Sequence, residues 1–155
     1  MTTILFADDN RNINEHCRRE LEDEGYRVLV AFNGDEALRI VDRCQPDVAV
    51  LDICMPGTNG LQALGQVRDR YPDLPVILFT SFDDACVHDE RAWLATACVE
   101  KHEDLSELKS AISAALRHRH DARPYRLGLP PAGMHVSAGA RRSSRSYAPP
   151  MERSP

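Results

Sequence analysis

The chain has 155 residues, 43% of them hydrophobic and 28% charged, with a formal net charge of −5 at pH 7. This composition provides a hydrophobic core for about 120 residues, which suits one domain with a modest appendage. The longest apolar run is much shorter than a membrane span, and no secretory apolar segment follows Met1. We therefore expect neither a membrane protein nor a secreted one.

Charge is divided unevenly along the chain. Residues 121–155 carry six arginines against Asp121 and Glu152, a net +4, which leaves −9 for residues 1–120. An acidic globular part argues against bulk affinity for nucleic acid, and a net +4 without periodicity offers little beyond salt-sensitive contact with phosphates. We therefore expect no direct DNA binding. The Arg-, Ser- and Pro-rich stretch 121–155 is predicted to be a disordered tail.

The cysteines bear on the redox environment. They are odd in number, widely spaced and without a Cys-x-x-Cys pair: Cys17, Cys44, Cys54, Cys86 and Cys98. Such spacing is typical of reduced thiols and not of a disulfide or zinc framework. We therefore expect a cytoplasmic protein.

Short apolar segments alternate with amphipathic segments along the first 119 residues. Strands are predicted at residues 3–7, 26–31, 48–51, 76–79 and 97–99. Helices are predicted from Asn10 or Asn12 to residue 24, from Asn33 to residue 44, and at residues 60–71, 84–94 and 105–119, the fourth being the weakest. Five such units predict an α/β fold, a doubly wound parallel sheet with helices on both faces. Strand order 2-1-3-4-5, the flavodoxin-like (βα)5 arrangement, then places strands one and three side by side.

Three carboxylates follow these two strands: Asp8 and Asp9 after the first, and Asp52 after the third. The carboxyl edge of a parallel sheet is where ligands of open α/β sheets bind, so the three acids are expected to meet in one crevice there. Like charges this close require a cation, a proton or a cationic partner. Mg²⁺ prefers such oxygen ligands, and a carboxylate beside a bound dication can act as a nucleophile and form an aspartyl phosphate.

A hydroxyl and a cation for phosphoryl oxygens are expected at the same edge. Thr80 ends the fourth strand and Lys101 ends the fifth. Lys101 is one of only two lysines, the other being Lys109, so a lysine at this point is informative. Both residues therefore join the three carboxylates as candidate site residues.

Structural explanations compete with this functional one. The Asp8-Asp9 pair is also typical of a helix cap, and Asp52 before a Pro/Gly loop is also typical of a turn. Thr80 could cap the next element, and Lys101 could be a solvated strand end. All of these residues, however, fall at carboxyl ends of strands in one predicted sheet, and this coincidence favours a site.

Four stretches carry specific motifs: residues 4–10 (ILFADDN), 51–61 (LDICMPGTNGL), 79–81 (FTS) and 99–101 (VEK). In order and spacing, over about residues 3–118, they closely resemble the receiver domain of two-component response regulators. The resemblance implies that Asp52 accepts phosphate from a phosphohistidine donor. It implies that Asp8, Asp9 and Asp52 bind Mg²⁺ together with the backbone carbonyl of Cys54. It also implies that the threonine and lysine named above contact the phosphoryl group and report its arrival.

The chain departs from the family's pattern on one side of the pocket. Cys98 occupies a position that is often aromatic, three residues before the lysine, and a small thiol cannot bury comparable area. His102 replaces the proline that usually follows the lysine, so this loop is expected to be either trans or strained. Leu94 stands where a glycine usually precedes the fifth strand. We therefore expect an intact phosphorylation pocket and an altered switch.

The resulting expectation is a receiver domain at residues 1–120 that acts as a single-domain response regulator. Its partners would be a sensor histidine kinase or a histidine phosphotransfer protein, and it would signal through protein contacts. It would be no enzyme beyond self-phosphorylation and self-dephosphorylation. Cys98 and His102 favour an alternative, a phosphorylation-independent pseudo-receiver scaffold. A Mg²⁺-dependent phosphohydrolase is disfavoured, because Cys54 stands where such enzymes need an acid/base carboxylate two residues after the nucleophile.

Overall fold

The computed structural model describes residues 1–81 and 89–119. The strands are β1 (Thr3–Ala7), β2 (Arg27–Ala31), β3 (Val48–Leu51), β4 (Val76–Thr80) and β5 (Ala97–Glu100). The helices are α1 (Arg11–Asp23), α2 (Gly34–Cys44), α3 (Gly60–Arg70), a 3₁₀ helix (Glu90–Leu94) and α4 (Ser106–His118). Part of the predicted fourth helix, residues 84–88, lies outside the described residues, as does the predicted tail 121–155. Among the described residues, no helix combines the length and the apolar character that crossing a membrane requires.

The five strands form one parallel sheet in the order β2-β1-β3-β4-β5, which confirms the predicted topology. Side chains alternate between its faces: Leu5 and Ala7 pack under α2 and α3, whereas Ile4 and Phe6 pack under α1 and α4. Strands buried on both faces explain why the sequence shows nearly continuous apolar runs here. The sheet is therefore doubly wound, and its carboxyl edge is left for the loops that follow β1, β3, β4 and β5.

Asparagines cap the first three of the helices that start at this edge, α1, α2 and α3. The Asn10 side chain accepts hydrogen bonds from the backbone N–H groups of residues 12 and 13, so Asn10 and not Asn12 caps α1. Asn33 caps α2 in the same way. Asn59 forms a capping box with Gln62 at the start of α3. These caps hold the helix starts in place above the ends of the strands.

Gly60 lets the chain return close to β3 after the loop of residues 53–59. Its backbone N–H donates to the carbonyl of Ile53 at 2.9 Å, and a Cβ at this position would overlap the carbonyl oxygen of Asp52. Backbone cannot move aside as a flexible side chain can. The loop after Asp52 therefore has this shape only with glycine at position 60.

We predict that Gly60→Ala lowers the free energy of unfolding by about 2–3 kcal/mol, because the added Cβ forces the backbone of Asp52 to shift. Gly65→Ala is the matched control on the same helix, since a Cβ there meets no atom within 4 Å. Alanine has the higher helix propensity, so the control is expected to gain up to about 1 kcal/mol. Urea denaturation of both variants measures the difference, and equal stability of the two would contradict this account of position 60.

Candidate functional site

The structure brings the three predicted carboxylates together. Because β1 and β3 are neighbours, Asp52 continues the ladder and donates its backbone N–H to the carbonyl of Ala7 at 2.8 Å. One carboxylate oxygen from each of Asp8, Asp9 and Asp52 lies within 4.8 Å of the others. Asp8 is 1% exposed and Asp52 is 4% exposed, whereas Asp9 faces solvent. The result is an acidic pocket with two buried walls and one open side.

Lys101 reaches into this acidic pocket. Its Nζ lies 2.6 Å from Oδ2 of Asp8 and 3.1 Å from Oδ2 of Asp52. The side chain is only 18% exposed, so it is not a solvated strand end. Its backbone N–H donates to the carbonyl of Thr80 at 3.0 Å, which ties the end of β5 to the end of β4. One ammonium group therefore serves two buried carboxylates.

Asp8 has a second, local contact. Its Oδ1 accepts a hydrogen bond from the backbone N–H of Asn10 at 2.8 Å, while its Oδ2 faces Lys101. The competing explanation, that the acidic pair caps α1, is thus partly right about the turn, but the cap itself is Asn10. Asp8 forms the turn before α1 with one oxygen and lines the acidic pocket with the other.

Lys101 does not offset the cost of ionising Asp52 in this buried pocket. Burial raises the pKa of Asp52 to about 6, and the charge of Asp8 adds to this rise. Lys101 and a hydrogen bond from the backbone N–H of Cys54 act in the opposite direction without cancelling it. Burial also lowers the pKa of Lys101, but its hydrogen bonds and charge interactions with Asp8 and Asp52 outweigh this and leave it raised. A further cation would stabilise the ionised site.

The oxygen donors of the pocket fit a hard divalent cation. Three clustered carboxylates, with an open side at Asp9, match the preference of Mg²⁺ for a few carboxylates with water completing its coordination. Cys54, whose carbonyl is the predicted fourth ligand, follows Asp52 by two residues and is exposed. The residues present are therefore suitable for Mg²⁺.

Thr80 is the last residue of β4 and is 1% exposed. β4 lies between β3 and β5, and Thr80 pairs in register with Glu100, the residue before Lys101. This places Thr80 inside the strand, at the edge shared by Asp52 and Lys101. The sheet thus gathers all the predicted site residues at its carboxyl edge.

The departures from the family pattern lie along β5, with Cys98 in the strand, His102 after its carboxyl end and Leu94 before its amino end. Cys98 is buried at 7% exposure in the core under α2 and α3, and burial raises the pKa of its thiol to about 11. The peptide bonds of the described residues are all trans. The loop after Lys101 is therefore in the trans form, one of the two that the sequence predicts. His102 Nε2 lies 3.2 Å from Glu100 Oε2. The Leu94 carbonyl, at the end of the 3₁₀ helix, accepts a hydrogen bond from Arg68 at 2.7 Å.

The sequence does not predict the roles of two polar residues, Arg68 and Asn14. Arg68 also donates to the carbonyl of Leu74 at 2.6 Å and so connects α3 to the segments that lead into β4 and β5. Asn14 lies buried on α1, and its Nδ2 donates to the carbonyl of Asp8 at 2.6 Å. The one sequence feature that could have identified Asn14 is its polar side chain within the apolar stripe of α1.

Comparisons with known proteins agree with this geometry. The family model for the response regulator receiver domain matches residues 4–113. The response regulator MprA of Mycobacterium leprae (strain TN) is 40% identical over 117 residues, covering 74% of this chain and 50% of that protein. MprA of Mycobacterium avium (strain 104) is 36% identical over 152 residues, covering 91% and 66% respectively. The chain thus spans between half and two thirds of the length of these relatives.

Solved structures are similar over the same region. Response regulator TrrA from Thermotoga maritima, in complex with Mg²⁺-BeF, is 37% identical with a TM-score of 0.71, covering 75% of this chain and 100% of that one. The complex of histidine kinase ThkA with TrrA matches with a TM-score of 0.69 and 37% identity, covering 75% and 99%. The fold, the family model and these relatives agree, and the chain belongs to the response regulator receiver domain family.

Proposed function

We propose that this chain acts as a response regulator receiver domain that accepts a phosphoryl group on Asp52. The donor would be the phosphohistidine of a sensor histidine kinase or of a histidine phosphotransfer protein, in the cytoplasm. The observation that carries the proposal is the buried Asp52 carboxylate, which shares Lys101 with Asp8 beside the open side of the acidic pocket. The signal would leave through protein–protein contacts.

Each residue of the pocket has a stated task in this reaction. Asp8, Asp9, Asp52 and the carbonyl of Cys54 would hold Mg²⁺, which when bound supplies positive charge for the carboxylates and the incoming phosphoryl oxygens. A carboxylate oxygen of Asp52 attacks phosphorus, the new O–P bond forms, and the N–P bond of phosphohistidine breaks with its electron pair returning to the imidazole. The ionised form of Asp52 is required for this step.

The cation and the hydroxyl of the pocket act on the transferred group. Lys101 already lies 3.1 Å from Asp52, so its ammonium is placed to balance negative charge on the phosphoryl oxygens. Thr80 offers the hydroxyl at the neighbouring strand end. The backbone hydrogen bond between these two residues would carry any shift of one to the other.

Two features of the relatives support this proposal. TrrA was solved with Mg²⁺-BeF and also with the histidine kinase ThkA, and it is 37% identical to this chain. Because the acidic pocket here presents oxygen donors suited to Mg²⁺, we extend both the metal and the kinase partnership to this chain. The four described cysteines are free thiols, which suits the proposed cytoplasmic location.

A phosphorylation-independent scaffold is the second candidate, and Cys98 is the observation that favours it. With a small buried thiol at this position, no aromatic side chain at position 98 can move between core and surface. Binding of a partner by the native chain and by Asp52→Asn, each with and without phosphodonor, separates the two functions. A scaffold would bind equally in all four measurements.

We predict that the native chain gains one labile phosphate when incubated with Mg²⁺ and a small phosphodonor such as acetyl phosphate. Asp52→Asn should gain none, because the amide cannot act as the nucleophile. Asp42→Asn is the matched control, since Asp42 is an exposed carboxylate paired with Arg70 away from the acidic pocket. Intact-mass measurement at neutral pH reads out the phosphate. Labelling of Asp52→Asn to the native extent would refute the assignment of the phosphoacceptor.

We predict that Asp52→Asn is more stable than the native chain at pH 7.5 in the absence of Mg²⁺. Its free energy of unfolding should be about 1–3 kcal/mol higher. The folded-state pKa of Asp52 is raised from its ordinary 3.8 to about 6, so ionising this carboxyl costs folding free energy. The cost appears as the pH rises from about 4 to 6 and is complete above that range. The advantage of the amide should therefore shrink as the pH falls towards 4.

Urea denaturation in EDTA at pH 7.5 and pH 4.5 measures this difference, and Asp42→Asn again serves as the control. Adding Mg²⁺ at pH 7.5 should stabilise the native chain more than Asp52→Asn, because the variant lacks one of the charges that Mg²⁺ neutralises. If the extra stability of Asp52→Asn were absent at pH 7.5, or grew at lower pH, the cost of ionising a buried Asp52 beside Asp8 would not be the cause.

A further inference from the structure

Asn14 interrupts the buried face of α1. The buried positions of this helix are Asn14, Cys17 and Leu21, at the i, i+3 and i+7 spacing of a core-facing stripe. Asn14 is 2% exposed, and among residues 1–81 and 89–119 its Oδ1 has no hydrogen-bond partner. A buried amide with an unpaired oxygen costs stability that an apolar side chain would avoid. The contacts of the other amide atom show what this residue provides instead.

The Asn14 Nδ2 group bridges the carboxyl ends of two strands. It donates to the carbonyl of Asp8 at 2.6 Å and to the carbonyl of Ala31 at 3.3 Å. The backbone N–H of Asp8 donates to the same Ala31 carbonyl at 3.2 Å. The carbonyl of Asp8 belongs to the peptide group that joins Asp8 to Asp9. A hydrogen bond at this carbonyl therefore fixes the plane of the peptide between two of the carboxylates in the acidic pocket.

The orientation of the Asp9 carboxylate depends on this peptide more than that of the Asp8 carboxylate does. The Asp8 carboxylate is held by Lys101 and by the backbone N–H of Asn10. Asp9 is exposed, and within the described part of the chain no hydrogen bond or ion pair holds its carboxylate. The direction in which Asp9 presents its oxygens is thus set by the backbone that carries it. Asn14 is the side chain that restrains that backbone.

We propose that Asn14 is a positioning residue for the metal site. It orients the Asp8–Asp9 peptide so that the Asp9 carboxylate faces the same space as those of Asp8 and Asp52. This inference rests on the proposed function, because it assumes that the acidic pocket binds Mg²⁺. Groups that orient metal ligands in this way typically change metal affinity by about 10–100-fold when they are removed.

The test is the affinity of the full chain for Mg²⁺, measured by calorimetry on the native protein, Asn14→Leu and Asn14→Ala. Leucine suits the apolar stripe and removes both hydrogen bonds, and alanine removes them without adding bulk. We expect a loss of about tenfold in Mg²⁺ affinity for both variants. Ile112→Val is the control, since it trims a fully buried side chain in the same core but lies on α4. Its Mg²⁺ affinity should equal that of the native chain.

A second readout separates positioning from a general loss of structure. The backbone N–H of Asp9 belongs to the peptide that Asn14 restrains, so its ¹⁵N–¹H resonance should shift in metal-free Asn14→Leu and stay in place in Ile112→Val. At saturating Mg²⁺, phosphorylation of Asn14→Leu by acetyl phosphate should return close to the native rate, because Asn14 touches no reacting atom.

Native Mg²⁺ affinity in either folded Asn14 variant would overturn the proposal and leave Asn14 a packing residue. An unshifted Asp9 resonance in Asn14→Leu would overturn it as well. If the native chain itself bound no Mg²⁺, the proposed function would fail instead. The Asp9 resonance would then still decide whether Asn14 orients this peptide.

Discussion

The acidic pocket depends on one unbalanced interaction, a single ammonium group shared by two buried carboxylates. Lys101 contacts both Asp8 and Asp52, yet burial and the charge of Asp8 still raise the pKa of Asp52. Strand order creates this arrangement, because β1 and β3 are neighbours and each places an acid at its carboxyl end. The fold thus leaves a site with more negative than positive charge. Such a site favours a divalent cation and, once the cation is bound, an anionic phosphoryl group.

Most of this architecture follows from local patterns. Apolar runs of four or five residues predict the strands, and their alternation with helices predicts a parallel sheet, so the acids after β1 and β3 could be placed at one edge from the sequence alone. The roles of Asn14 and Arg68 could not be predicted in this way. Both residues donate to carbonyls at strand or helix ends, such as those of Asp8 and Leu94. Which carbonyls need a partner is known only once the sheet is assembled.

One difference between the predicted and the observed structure lies just before β5. The sequence predicts a helix up to Leu94, and the described part of this stretch contains a 3₁₀ helix at Glu90–Leu94. The sequence lacks the glycine that usually ends a helix here, and the structure instead satisfies the Leu94 carbonyl with the Arg68 side chain from α3. A side chain that is distant in the sequence thus replaces the local glycine cap. Periodicity within one segment cannot reveal such a substitution.

At position 98, β5 carries a small thiol and no aromatic side chain. A residue of this size cannot move a large apolar surface between core and solvent. A backbone connection is present in the hydrogen bond from the Lys101 N–H to the Thr80 carbonyl, beside a Lys101 side chain already engaged by Asp8 and Asp52. A phosphoryl group on Asp52 would change the negative charge that the Lys101 ammonium faces. Because Lys101 leads directly into the loop before α4, that loop is the first surface such a change would reach.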